Sequence, residues 1–156
     1  MSLSSLPTAL PSLSVREYVI DALYRCVIGL DTANKDLFDS SLTQDAVLDI
    51  NGRVLNGLDA IHAGCYNILA KLDTTHFITN VRVSVKDGES TASLTASALA
   101  QHYRQGQGLE SGAEGLLTGV LYYVDLVKDT DGLWKATNSK MRTTWFEGDR
   151  AIAMGK

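Results

Sequence analysis

The chain carries three histidines, His62, His76 and His102, the side chains best suited to move protons near neutral pH. A free imidazole titrates at about 6.5, so it can take a proton and return it. His76 (in TTHFI) and His102 (in AQHYR) lie in neighbouring segments of alternating polarity, where two strands could bring them into one cavity. Taken singly, each is also the kind of histidine that strands carry for structural reasons. With Asp31 (in GLDTANK) supplying a carboxylate, the two form a proton-transfer set. A carboxylate bonded to one ring nitrogen fixes the tautomer and makes the other nitrogen more basic. His62, between Ile61 and Ala63 in a helical pattern, reads as a surface or already satisfied position. Two histidines and an aspartate also match a facial metal triad. No HxD or HExxH spacing accompanies them, and no metal is expected.

Four further side chains are candidates for holding a ligand. Asn80 follows His76 by four, so a regular strand places both on one face. Strand phase points Tyr123 into the pocket, where its hydroxyl would donate to a substrate oxygen. Asn51 is the alternative to Tyr123 for steadying a developing enolate, and Trp145 would cap the cavity with apolar surface. Cys26 and Cys65 fall in apolar helical patterns and read as buried free thiols, without a nucleophile motif around either. No Gly-x-Ser-x-Gly elbow occurs. Gly106, Gly108, Gly112 and Gly115 lack the Lys-Ser or Lys-Thr of a phosphate loop, and read as a flexible loop at a cavity rim.

Positioning these groups takes helices first and strands afterwards. Ser14 and Glu17 form a capping box, opening an amphipathic helix that ends near Gly29. A shorter helix is expected over Thr32–Leu42, a strand over Asp45–Ile50, a turn at Asn51-Gly52 and a third helix over Leu58–Leu72. After Asp73 the period becomes two. Long strands are expected over His76–Val85, Ser90–Arg104, Leu117–Lys128 and Leu133–Phe146, with turns at Asp87-Gly88 and Asp131-Gly132. This order predicts an α+β domain, its helices packed on the concave face of a curved, mostly antiparallel sheet. A single domain at 14–150 is expected, between an N-terminal arm at 1–13 and a C-terminal tail at 151–156. In the second long strand Ala92, Leu94, Ala96, Ala98, Ala100 and His102 share a face. Such a row of alanines either lets a helix approach closely or leaves a hollow that His102 closes.

The stretches FDSSLTQDAVLD (38–49), NGLDAI (56–61), TTHFITN (74–80), DGLWK (131–135) and TWFEGD (144–149) resemble, in order and spacing, the nuclear transport factor 2 superfamily, in particular its SnoaL-like branch. The resemblance covers roughly Val15 to Asp149 and implies a cone-shaped α+β barrel. Within that branch the pattern is most similar to scytalone dehydratase. The likeness implies that His76 and His102 stand for that family's two active-site histidines and Asp31 for its helix-end aspartate. The tyrosine expected beside the aspartate is Leu30 here, and a second falls near Ile50 or Asn51. The serine and asparagine of the family's third strand fall at Leu121 and Tyr123, so scytalone itself fits poorly as substrate. The resemblance implies a cofactor-independent lyase, isomerase or cyclase acting on a hydrophobic polyketide- or terpenoid-like molecule in secondary metabolism. The alternative is a non-catalytic binding or assembly module of the same fold. Imidazoles facing a cavity close to Asp31 favour the enzyme, and imidazoles bonded to main chain and sealed off favour the module.

Composition narrows the partners. Of 156 residues 45% are hydrophobic and 21% charged, with a net charge of −4, which fits one globular domain and argues against a nucleic-acid backbone as ligand. No apolar run of membrane-spanning length occurs, and a cytoplasmic location is expected. A homo-oligomer is expected, a dimer or, as in the dehydratase group, a trimer. Its interface would be the outer sheet face: Thr91, Ser93, Thr95, Ser97, Leu99, Gln101 and Tyr103, with Val120, Tyr122, Val124 and Leu126 beside them.

Overall fold

The computed structural model describes residues 6–156, so the first five residues of the expected arm lie outside the described residues. Helix α1 spans Val15–Asp31. It opens on the expected box: the Ser14 backbone N–H donates to Glu17 Oε2 at 2.7 Å, and the Glu17 N–H to Ser14 Oγ at 3.3 Å. Helix α2 is Lys35–Asp39, shorter than expected. Ala33 takes a positive φ of 52°, and Asn34 then caps the new helix by accepting from the Leu37 N–H at 3.0 Å. Strands β1 (Leu42–Ile50) and β2 (Arg53–Asn56) form a hairpin around Asn51-Gly52. The third helical pattern breaks into α3 (Leu58–Ile61), a π-helical turn (His62–Tyr66) and α4 (Asn67–Leu69).

Four long strands follow, β3 (Asp73–Ser84), β4 (Thr91–Tyr103), β5 (Gly115–Lys128) and β6 (Trp134–Gly148). The sheet order is β2-β1-β6-β5-β4-β3. Strands β1 and β6 run parallel and the other neighbours antiparallel. On β6 the pairing skips Thr137 and Thr144, and on β3 it skips Asn80 and Val81. Extra residues of this kind bend a sheet, and here they curl it around α1. The result is the α+β arrangement that the element order predicts, in the cone shape that the family resemblance implies.

The core fills the concave side. Val19, Leu23, Val27 and Leu30 of α1 pack on Leu94, Ala96, Ala98, Val124 and Leu126. The alanines let α1 lie close, since a larger side chain there would hold the helix off the sheet. At the far end of the cone Arg25, 3% exposed, is fully engaged. It bonds Asp21 at 2.9 Å, Ser40 Oγ at 2.9 Å and the Trp134 carbonyl at 2.6 Å. A buried cation is tolerated only when paired in this way. Residues 151–156 end the fold in a short 3-10 turn (Ile152–Met154) with Ile152 fully buried. Among the described residues no helix is long and apolar enough to cross a membrane.

Strand phase corrects part of the sequence reading. On β5 the residues facing the core are Leu116, Tyr122, Val124 and Leu126, and Tyr123 is 47% exposed on the outer face. The expected interface residues Tyr122, Val124 and Leu126 are therefore core. The error is one of parity, since a strand read one residue out of phase exchanges its two faces.

Candidate active site

The last residue of α1 meets the edge of the sheet. Strand β3 has a neighbour on one side alone, so its other side presents unpaired N–H groups. Asp31 takes one of them: the His76 backbone N–H donates to Asp31 Oδ2 at 2.9 Å. The other carboxylate oxygen, Oδ1, lies 2.6 Å from His76 Nδ1. A carboxylate only accepts, so Nδ1 carries the hydrogen, and in the neutral ring Nε2 holds the lone pair. Both oxygens are thus spent on one residue, which fixes the ring in place. A carboxylate at the C-terminal end of a helix faces the negative end of the helix dipole, an arrangement costing about 0.3–1 kcal/mol.

His102 completes the group. Its ring stands edge-on to that of His76, with centroids 5.5 Å apart and planes at 88°. Its Nδ1 lies 3.3 Å from the Leu116 carbonyl, which can only accept, so this ring too carries its hydrogen on Nδ1 and an open lone pair on Nε2. Burial pushes the His102 pKa down to about 4, and the neighbouring His76 pushes it the same way. Below that value alone would the ring be charged, so at physiological pH His102 is neutral and accepts hydrogen bonds at Nε2. His76 is bonded to Asp31 by ring and backbone, while His102 is bonded to a main-chain carbonyl.

Thr74 was not foreseen, whereas Phe146 was expected with Trp145 as an apolar cap. Thr74, across the strand pair from His102, has a buried hydroxyl with no partner among the described residues. Phe146 lies in one row across the sheet with Thr118, Ala100 and His76, and residues paired in this way share a face. The Arg150 guanidinium sits 4.8 Å from the centre of its ring. The extra residue at Thr144 sets this phase, a feature that no alternation pattern displays.

The remaining expected site residues lie elsewhere. Asn51 takes a φ of 55° in the β1–β2 turn and stitches it to β6, its side chain donating to Thr143 Oγ1 at 3.0 Å and accepting from the Thr143 N–H at 2.8 Å. Asn80 adopts a φ of 54° at the bulge of β3, and this breaks the four-residue spacing that would have aligned it with His76. It is exposed on the surface. Trp145 is 48% exposed on the outer face, its indole lying over Gly119, where a Cβ would come within 2.3 Å of the ring. Tyr123 also stays outside, as described above. Metal ligation has no donor set: among the described residues no three His, Cys, Asp or Glu side chains converge.

A model of the SnoaL-like domain matches residues 11–140. The chain belongs to the SnoaL-like family. Terrestric acid biosynthesis cluster protein E of Penicillium crustosum is 53% identical over 154 residues, covering 97% of this chain and 98% of that relative. Among solved structures, a type 2 hexachlorocyclohexane dehydrochlorinase (LinA) is 20% identical with a TM-score of 0.70, the match covering 86% of this chain and 88% of that one. A candidate scytalone dehydratase from Novosphingobium aromaticivorans is 18% identical with a TM-score of 0.73, covering 87% and 89%. At these identities the solved structures speak for the cone fold. Its SnoaL-like form is the one the sequence motifs imply.

Proposed function

We propose that the protein is a cofactor-independent lyase or isomerase of secondary metabolism, working on a hydrophobic small molecule through Asp31 and His76. The observation that carries this reading is the pair itself: Asp31 holds His76 by ring and backbone, leaving Nε2 basic and unspent on the concave side. In this mechanism Nε2 removes a proton from a carbon next to a carbonyl, and the C–H electron pair moves into the enolate. Asp31 stabilises the imidazolium as it forms. The imidazolium then returns its proton to a departing oxygen, giving dehydration, or to another carbon, giving isomerisation. His102 keeps a second positive charge away from His76 and accepts from a substrate hydroxyl. The relative named for a terrestric acid cluster supports the metabolic setting. A positioned acid–base group contributes about 10² to 10⁴ in rate. Extracts in which the pathway is blocked at this step supply the accumulated intermediate. His76→Ala should consume it at least 100-fold more slowly than wild type, and unchanged consumption would refute the role.

The same reading includes a homo-oligomer built on the outer face. Phe77, Leu99, Gly119 and Trp145 form one row across four strands there. Phe77, Leu99, Tyr123 and Trp145 are all exposed large hydrophobics, a patch that a second copy would cover. Phe77→Asp with Trp145→Asp should yield a monomer by light scattering and leave the His76 site folded. A wild-type protein already monomeric at micromolar concentration would end the proposal.

A further inference from the structure

Tyr122, Ser139 and Ser41 bring three hydroxyls into an otherwise apolar crevice inside the cone, and that of Ser41 donates to the Phe38 carbonyl at 2.6 Å. The crevice runs beside Leu30, the neighbour of Asp31, and is walled also by Cys26, Cys65 and Met141. Tyr122 faces Met141 across the β5–β6 pair, and Ser139 stands opposite Val124, one row further on. They are 4% and 7% exposed, and both line the crevice. Burial raises the Tyr122 pKa far above its ordinary range, and the Cys26 and Cys65 thiols and Asp31 act in the same direction. The phenol therefore stays protonated and remains a donor. A buried donor without a partner is costly, and most such groups in folded proteins are satisfied. Tyr122 and Ser139 therefore offer polar contacts on the wall of an apolar crevice.

We infer that this crevice receives an oxygen of the substrate, a carbonyl or ring oxygen remote from the reacting carbon, with Tyr122 donating to it and Ser139 as a second polar contact. The substrate class is then an apolar molecule with two oxygen functions, one beside the carbon that His76 deprotonates and one at the buried end. This rests on the proposed chemistry only for the place of the reacting carbon; the oxygen site stands without it.

Acetophenone and ethylbenzene have nearly the same shape and differ in the carbonyl, so the ratio of their affinities reads the hydroxyls alone. Each is titrated by protein-observed NMR into wild type, Tyr122→Phe, Ser139→Ala and His76→Ala. The ratio should fall about tenfold in Tyr122→Phe, the worth of one neutral hydrogen bond at the upper end of its range. That variant should also melt at the wild-type temperature or above, because it removes a polar group from an apolar wall. A merely structural tyrosine would lower the melting temperature and leave the ratio unchanged, and that result overturns the inference. Should Tyr122→Phe fail to fold, Ser139→Ala carries the test, and a ratio equal to wild type there is equally fatal. His76→Ala should keep the ratio. If it also keeps full turnover, the proposed chemistry fails while the oxygen site survives.

Discussion

The molecule contains two aspartate–histidine pairs with the same 2.6 Å contact, Asp31–His76 and Asp39–His62. Their surroundings differ. Asp39 is shared with Lys35, whose ammonium meets its other oxygen at 2.5 Å. His62 is bonded through Nε2 and packed between Phe38 and Tyr66, with centroids at 6.3 and 5.9 Å. This pair pins the π-helical turn to α2, close to the surface. Asp31 instead spends both oxygens on His76, whose side chain is 5% exposed and bonded through Nδ1, with a second neutral imidazole edge-on to it. The contact is the same, and the neighbours decide its use. A carboxylate shared with a cation makes a pin, whereas one devoted to a buried imidazole suits the base proposed for His76.

The largest expected difference is in turnover. Asp31→Asn should slow consumption of the pathway intermediate by 100-fold or more, through loss of the tautomer and of imidazolium stabilisation. Asp39→Asn should leave turnover within a factor of two, a rough bound for a site outside the chemistry. Equal losses in the two variants would erase the distinction between pin and base.

The next effect is on stability against pH. The folded pKa of His102 is depressed to about 4, so below its unfolded value the unfolded chain binds the proton more tightly. This contribution to stability is complete above pH 6.5 and is lost as the pH falls toward 4, amounting to about 3 kcal/mol. Urea unfolding of wild type and His102→Gln between pH 4 and 7 should show that slope in wild type and its absence in the variant. The smallest effect belongs to the pin. His62→Ala should lower stability by about 1 kcal/mol with turnover intact, as expected for one partly buried hydrogen-bonded pair.

The contrast also shows what the sequence could reveal. The capping box at Ser14–Glu17, the Asn-Gly turn and the period-two runs place α1 and the long strands, because those signals are local. His76 and His102 could be grouped because alternation puts them on neighbouring strands, and Asp31 joined them through the family resemblance. The four ligand-holding expectations failed for a different reason. Tyr123 depends on the parity of β5, Asn80 and Trp145 on bulges at the centre of β3 and the end of β6, and Asn51 on a turn that leads away from the site. A bulge needs no distinctive residue, and one extra residue exchanges the faces of everything beyond it. The inward face of Tyr122 was hidden for the same reason, and the tautomer of His102 could not be read without the carbonyl opposite it.

With three histidines in the chain, long-range proton–nitrogen NMR of the imidazole rings resolves each tautomer without crowding. The account predicts hydrogen on Nδ1 with a bare Nε2 for His76 and for His102, and hydrogen on Nε2 for His62, all at pH 8. A His76 that carries hydrogen on Nε2, alone or on both nitrogens, has no lone pair to offer a substrate and would contradict it.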